Sequence, residues 1–423
     1  MRSFSISALR RGLLLLLLAL AMVGAARADE VTDWHEHMLT ALVKANVNPI
    51  VSSRDAALVA AAVFDAVNGI ERRYEPIHVP AAAPRGASKR AAAVQAAYVI
   101  LLSRFPTQEA DLSLKRAASL AAIGDPATEV SVQRGVAWGQ EVANGILVWR
   151  SADGFTPPPP PFLGGVAPGQ WRPTPPAFAA GAAPQFATMT PWGILSPNQF
   201  RPLGPPAMVS NQYFVEFNEV SQMGSVASTL RTADETEACL FWASTSGTYV
   251  WNRAAIKLGE DRGTSLSENA HLLARLNLAI ADAVIACWDA KYEYEFWRPV
   301  TAIRLADTDG NADTVEDPAW TPLVTTPAFP EYTSGHSSIA GAAAFVLASY
   351  FGEDTPFSLE SPALAGWVRY YPDLSTALDE VADARVFAGI HFRAACVKGQ
   401  ILGSDVAAHI LENSMRRIHG EGE

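Results

Sequence analysis

Between Ser151 and Pro206 the chain cannot be a regular helix or a central strand. Pro157 to Pro161 is an unbroken proline run, followed by Gly164-Gly165, Pro168-Gly169 and Trp171-Arg172-Pro173-Thr174-Pro175-Pro176. Each proline fixes φ and removes a backbone donor, so neither a helix nor a ladder propagates through the stretch. The same stretch carries Trp171, Phe178, Phe186, Trp192 and Phe200, which a solvated tether does not need. A long loop packed on the surface is therefore favoured over a flexible linker. On both sides of it strict alternation is scarce and helical periodicity dominates. Residues 56–64 are alanine-rich, and 89–104 and 127–149 continue the pattern, with Gly124-Asp125-Pro126 reading as a turn. Periodicity resumes at Gln212 and is clearest over 232–243, 268–288, 337–351, 375–387 and 395–415. The expected fold is all-α: an N-terminal helical region over 29–150, the packed Pro/Gly-rich loop over 151–206, and a C-terminal helical bundle over 207–423.

Residues 1–28 stand outside that scheme. Arg2, Arg10 and Arg11 form a basic start, residues 13–23 are apolar, and Ala26-Arg27-Ala28 offers a small-residue cleavage site. That is the layout of a secretory signal peptide, and it implies a periplasmic or secreted protein. Eleven apolar residues are short for a bilayer span. The Arg10-Arg11 pair leaves general and twin-arginine export both open. Cleavage after Ala28 removes four arginines and no acid, moving the formal net charge from −11 to −15. An acidic chain of this kind is a poor partner for nucleic acid or anionic membranes. No other stretch reads as long and apolar enough to cross a membrane. Cys239, Cys287 and Cys396 are odd in number, far apart and set among apolar neighbours, so buried thiols are expected rather than disulfides. Oligomeric state is not legible from these features.

Three clusters in the C-terminal half carry chemistry. The first runs from Trp288 to Pro299 and contains Lys291 and Arg298. Seven residues apart, the two would lie on nearly one face of a helix, two turns distant, with Pro299 stopping it. Two cations so placed can bracket an oxyanion, the guanidinium by forked hydrogen bonds and the ammonium as a point charge. The ordinary alternative is a solvated face with Glu293 and Glu295 as partners, against which the density of aromatics argues. The second cluster is Phe329-Pro330-Glu331-Tyr332-Thr333-Ser334-Gly335-His336, opening into an apolar helix. Free amides at a helix start, close approach at Gly335, a Ser334 hydroxyl and an acid–base His336 suit an anion. Plain capping by Ser337 or Ser338 is the alternative. In the third cluster, Arg385 and His391 are separated by a Gly389-Ile390 break. A histidine among apolar residues is ordinarily a satisfied core group, but a nearby arginine needs a partner.

Together the three segments resemble the vanadium-dependent haloperoxidases and the related type 2 phosphatidic acid phosphatases. The shared pattern is Lys, six residues, Arg-Pro; then Ser-Gly-His; then Arg, five residues, His. Here it is Lys291…Arg298-Pro299, Ser334-Gly335-His336 and Arg385…His391, in that order. The resemblance covers the C-terminal half well and the N-terminal half loosely. It implies a helical-bundle fold holding vanadate, with Lys291, Arg298, Ser334, Gly335 and Arg385 around its oxygens. It also implies His391 as the ligand to vanadium and His336 as the acid–base group, with Lys291 assisting catalysis. Hydrogen peroxide, halide and a small organic acceptor would be the reactants, and Trp288 and Phe329 would line the halide pocket. The rival is an exported acid phosphatase with His391 as nucleophile, because vanadate resembles a phosphoryl-transfer transition state. Four departures from the pattern stand out. Thr333 precedes Ser334, Ala384 precedes Arg385 where the family often has serine, the stretch Ser244-Thr245-Ser246-Gly247 offers no acid to Arg385, and Ala395 stands where an aspartate four residues after His391 is common in the family.

Overall fold

The computed structural model describes residues 29–124 and 128–418. The expected leader at 1–28 lies outside the described residues, as do Asp125 and Pro126 of the expected turn.

Among the described residues, five α-helices precede the proline-rich loop: α1 (Glu30–Lys44), α2 (Pro49–Glu71), α3 (Lys89–Arg104), α4 (Glu109–Ala121) and α5 (Glu129–Arg150). Five more follow it: α6 (Asn211–Met223), α7 (Ala233–Ser244), α8 (Gly247–Arg262), α9 (Leu266–Tyr294) and the short α10 (Pro299–Arg304). The chain continues with α11 (Gly335–Phe351), a hairpin of β1 (Phe357–Glu360) and β2 (Val368–Tyr371), α12 (Leu374–Phe387) and α13 (Arg393–Asn413). The hairpin is antiparallel, with Phe357 opposite Tyr371. Its strands have four residues each, too short to show alternation in the sequence.

Helix α9 is the axis of the molecule. It starts with a capping box in which Ser265 and Glu268 satisfy each other's backbone amides, and it packs against α2, α11 and α13. One continuous apolar core surrounds it, drawing side chains from both sides of the proline-rich loop, from Val31 to Met415. By length and composition α9 could cross a membrane, contrary to the expectation that only the leader region comes close. Its apolar window is 94% buried inside the protein, and that burial accounts for the apolar composition.

The proline-rich segment is packed, as its aromatics suggested. Trp171, Phe186 and Trp192 are buried, while Phe178 is exposed and Phe200 only partly covered. A buried carboxylate holds the segment in place: Asp282, in the middle of α9, accepts the amides of Trp192, Gly193 and Ile194 at 2.7, 2.8 and 2.9 Å. The loop thereby satisfies its own backbone donors and the one acid inside the apolar stretch of α9.

The crossing of α11 and α13 sets the position of the second cluster. A methyl at Gly403 would lie 2.0 Å from the Ser338 carbonyl, and one at Gly341 would lie 2.2 Å from that of Gln400. Both contacts are with backbone, which cannot swing aside. Gly403→Ala is therefore expected to cost about 1–3 kcal/mol through overpacking, read as a lower thermal midpoint. An unchanged midpoint would show that the two helices can part without loss.

Candidate oxyanion site

The three clusters meet where α9 ends and α11 and α13 begin. Lys291 lies in the last turn of α9 and is fully buried. Arg298 is not on that helix, contrary to the one-face geometry inferred from its spacing. Glu295 adopts a left-handed conformation (φ 44°) and ends α9 after Tyr294. The chain then turns, and Arg298 becomes the N-cap of α10 with Pro299 in the first turn. Glu293 pairs with Arg201. Lys291 instead donates to the carbonyls of Pro330 and Glu331, each at 2.9 Å. Those contacts fasten the second cluster to the first.

Ser334, rather than Ser337 or Ser338, is the N-cap of α11. Its hydroxyl oxygen accepts from the Ser337 hydroxyl at 2.9 Å, leaving its own hydrogen to donate outward. The amides of Gly335 and His336 begin the helix and have no intrahelical acceptor. At the third cluster, Ala388 caps α12, Gly389 takes φ 80°, and Phe392 caps α13. His391 occupies the turn between, with its Nε2 3.1 Å from an Arg298 nitrogen and its Nδ1 2.8 Å from the Glu331 carboxylate. Arg298 also donates to the carbonyls of Phe329 at 2.8 Å and Ile390 at 2.7 Å. Arg385 finds the partner that its sequence neighbourhood lacks in the Trp242 carbonyl, at 3.2 Å.

Trp288 and Phe329 form one wall, with ring centroids 5.0 Å apart. The Lys291 ammonium stands 5.6 Å from the first ring and 5.0 Å from the second, and the Arg298 guanidinium 4.8 Å from Phe329. A methyl on Gly335 would come 3.3 Å from the Trp288 ring, so glycine lets the helix start lie against the indole. The Trp288 indole N–H and the Tyr292 hydroxyl both donate to the Ala182 carbonyl, at 3.2 and 3.0 Å, which brings the proline-rich segment to this wall.

The electrostatics are those of an anion site. Burial pushes Lys291 down to about 7, with Arg298 and Arg385 nearby adding to the effect. Burial also lowers Arg298 and Arg385, and holds His336 and His391 well below the usual histidine range. Glu331 is raised to about 7 by burial, against the opposing pull of Arg298 and Lys291. Among the described residues, Arg298 Nη2, Arg385 Nε and His336 Nε2 are enclosed yet have no hydrogen-bond partner. The two arginine N–H groups are buried donors that call for an acceptor. Three buried cationic side chains, Lys291, Arg298 and Arg385, set the sign of the ligand as an anion. The donor set fits a tetrahedral or bipyramidal oxyanion such as vanadate.

Residues 271–420 match the family described as the VCPO second helical-bundle domain. The vanadium chloroperoxidase of Curvularia inaequalis is 32% identical over 149 residues, covering 29% of this chain and 24% of that protein. The match thus spans about a quarter of the curated relative. A crystal structure of a bacterial vanadium-dependent iodoperoxidase superposes with TM-score 0.80 at 26% identity, covering 93% of this chain and 98% of the other. Residues 271–420 thus match the VCPO second helical-bundle domain, and the chain as a whole shares the fold of bacterial vanadium haloperoxidases. A holo bacterial vanadium-dependent chloroperoxidase shares the fold at TM-score 0.68 and 18% identity, covering 86% of this chain and 92% of the other.

Glu331 is the residue at this site that sequence reasoning left without a role. Its partner His391 lies 60 positions away, so no local spacing announces the pair. The Trp242 carbonyl went unnoticed because a backbone acceptor has no side-chain signature.

Two outcomes follow from the charge balance. Arg385 is buried with a single backbone partner, so Arg385→Met is expected to leave the ligand-free thermal midpoint unchanged or raised. The same change should weaken phosphate binding about 10–100-fold in calorimetry, the worth of a charge-assisted hydrogen bond. A lowered midpoint with intact phosphate affinity would contradict this reading of the arginine. Lys291 should also make anion binding pH-dependent. In the ligand-free protein its ammonium is lost as pH rises through about 7. Sulfate, which does not titrate in this range, should bind progressively more weakly from pH 7 to 9, by at most about tenfold per pH unit. Lys291→Met should flatten that profile.

Proposed function

We propose that the protein is a vanadium-dependent haloperoxidase that oxidises halide with hydrogen peroxide and passes the oxidised halogen to a small organic acceptor. One observation carries the reading: three buried cations and two histidines surround a single site, with enclosed N–H groups directed at no protein acceptor. Similarity to a bacterial iodoperoxidase and to chloroperoxidases supports it.

In this reading vanadate supplies the Lewis-acidic centre that activates peroxide. Lys291, Arg298 and Arg385 neutralise the charge on the oxyanion, while the Ser334 hydroxyl and the Gly335 amide donate to it. His391 offers Nε2 as the ring-nitrogen ligand. His336, neutral because burial disfavours its charged form, is ready to take a proton from incoming peroxide and return it to the departing oxygen. Trp288 and Phe329 present a largely dry aromatic face that strips water from a halide. The leader read in residues 1–28 would place this chemistry in the periplasm or outside the cell.

The same residues could also serve an acid phosphatase, with His391 as nucleophile and His336 protonating the leaving group. The His391–Glu331 pair is compatible with both. The aromatic wall against Gly335 favours halide, since a phosphoester needs no such surface.

The purified protein should halogenate a phenolic acceptor with peroxide and bromide or iodide only when vanadate is added. If vanadate merely inhibits hydrolysis of a chromogenic phosphoester, the phosphatase reading replaces this one. His336→Ala should bind vanadate yet turn over about 10²–10⁴-fold more slowly, as expected for loss of a general acid–base group. His391→Ala should lose activity altogether, and retained turnover would remove it from the mechanism.

A further inference from the structure

His391 has two nitrogens with separate tasks, and the structure shows what keeps them separate. Both His391 and Glu331 are about 1% exposed, so bulk water does not decide the ring's protonation pattern. An arginine can only donate, and an Arg298 nitrogen lies 3.1 Å from Nε2, so Nε2 must present its lone pair there. A neutral imidazole then carries its one hydrogen on Nδ1, which is 2.8 Å from Oε1 of Glu331. That same carboxylate oxygen accepts the Phe392 amide at 2.9 Å, which ties it to the backbone beside the histidine. On the other side, the Glu331 carbonyl is held by the Lys291 ammonium. Ala395, one turn into α13, offers the ring no polar side-chain atom, and its carbonyl is taken by the Ser334 amide at 3.0 Å.

We propose that Glu331 is the positioning residue of the oxyanion site, fixing His391 as the Nδ1–H tautomer and so keeping the Nε2 lone pair, which accepts from Arg298 in the ligand-free protein, available to the central atom of a bound oxyanion. This rests on the reading of His391 as the vanadium ligand. A carboxylate hydrogen-bonded behind a ligating imidazole sets the tautomer, orients the ring and raises the basicity of the ligating nitrogen. Here the carboxylate comes from the loop before α11. One short segment, Glu331 to His336, therefore supplies both the support behind the ligand histidine and the acid–base group. Glu331 also places a carboxylate against Lys291 and Arg298, so for an anion held only by charge it works against binding. Vanadate, which needs the nitrogen, and sulfate, which does not, should respond to its removal in opposite directions.

The test uses the vanadate-free protein labelled with ¹⁵N-histidine, with the His391 signals assigned by their loss in His391→Asn. The wild type should carry its proton on Nδ1. Glu331→Gln keeps an acceptor oxygen and should keep the tautomer, with less than tenfold loss of vanadate affinity by calorimetry. Glu331→Met removes the acceptor; vanadate should then bind about 10–100-fold more weakly, while sulfate binds as well as before or better. A proton on Nε2 in the wild type would overturn the proposal. So would equal weakening of vanadate and sulfate in Glu331→Met, because a damaged fold loses both, or unchanged vanadate binding in that variant. A wild type that binds sulfate but not vanadate would sink the haloperoxidase reading separately, and the tautomer measurement would still decide the role of Glu331.

Discussion

Uncompensated positive charge in a dry place governs this protein. Lys291, Arg298 and Arg385 are each at most 3% exposed, and the carboxylate that faces them, Glu331, turns one oxygen to His391 and the Phe392 amide and has no hydrogen-bond partner on the other. Desolvating three cations is expensive, and carbonyl dipoles offset only part of the cost. The carbonyls of Phe329, Pro330, Glu331, Ile390 and Trp242 are all turned inward for that purpose. The surrounding architecture can be understood as what is needed to hold those carbonyls in place.

That requirement explains why the site sits at helix ends. A carbonyl in the middle of a helix is occupied, whereas those in turns and last turns are free to face a cation. The ends of α7, α9 and α12 and the loops leading into α11 and α13 supply the groups, and the glycine-lined crossing of α11 with α13 keeps the two helix starts in register. Asp282 deals with the same difficulty in reverse deeper in α9, where backbone amides of the proline-rich segment surround a buried anion.

Much of this was legible in the sequence, and the failures have specific causes. The order and spacing of Lys291, Arg298, Ser334, Gly335, His336, Arg385 and His391 singled out residues that the structure brings together, because turn residues and helix starts leave local marks. The Gly389 break and the packed aromatics of the proline-rich loop were legible for the same reason, with Phe178, which is exposed, the exception. The shared helix face of Lys291 and Arg298 was wrong because Glu295 ends α9 in a left-handed conformation, and a non-glycine residue in that state carries no signal. The cap at Ser334 was displaced from Ser337 and Ser338 because three serines within five residues are locally equivalent. Glu331 and the Trp242 carbonyl were invisible because each pairs across a long stretch of chain. Helix α9 met the composition of a membrane span because a helix buried on all sides and one in lipid face equally apolar surroundings.

The Ala182 carbonyl has an effect on the aromatic wall beyond holding it. By accepting both the Trp288 indole N–H and the Tyr292 hydroxyl, it consumes the two polar handles that those rings would otherwise turn toward a small solute. An anion resting there meets ring surface from Trp288 and Phe329 and attraction from Lys291, with no directional donor from the wall itself. Such a surface grips by polarisability and ease of dehydration, and it ranks anions by softness more than by hydrogen-bonding strength.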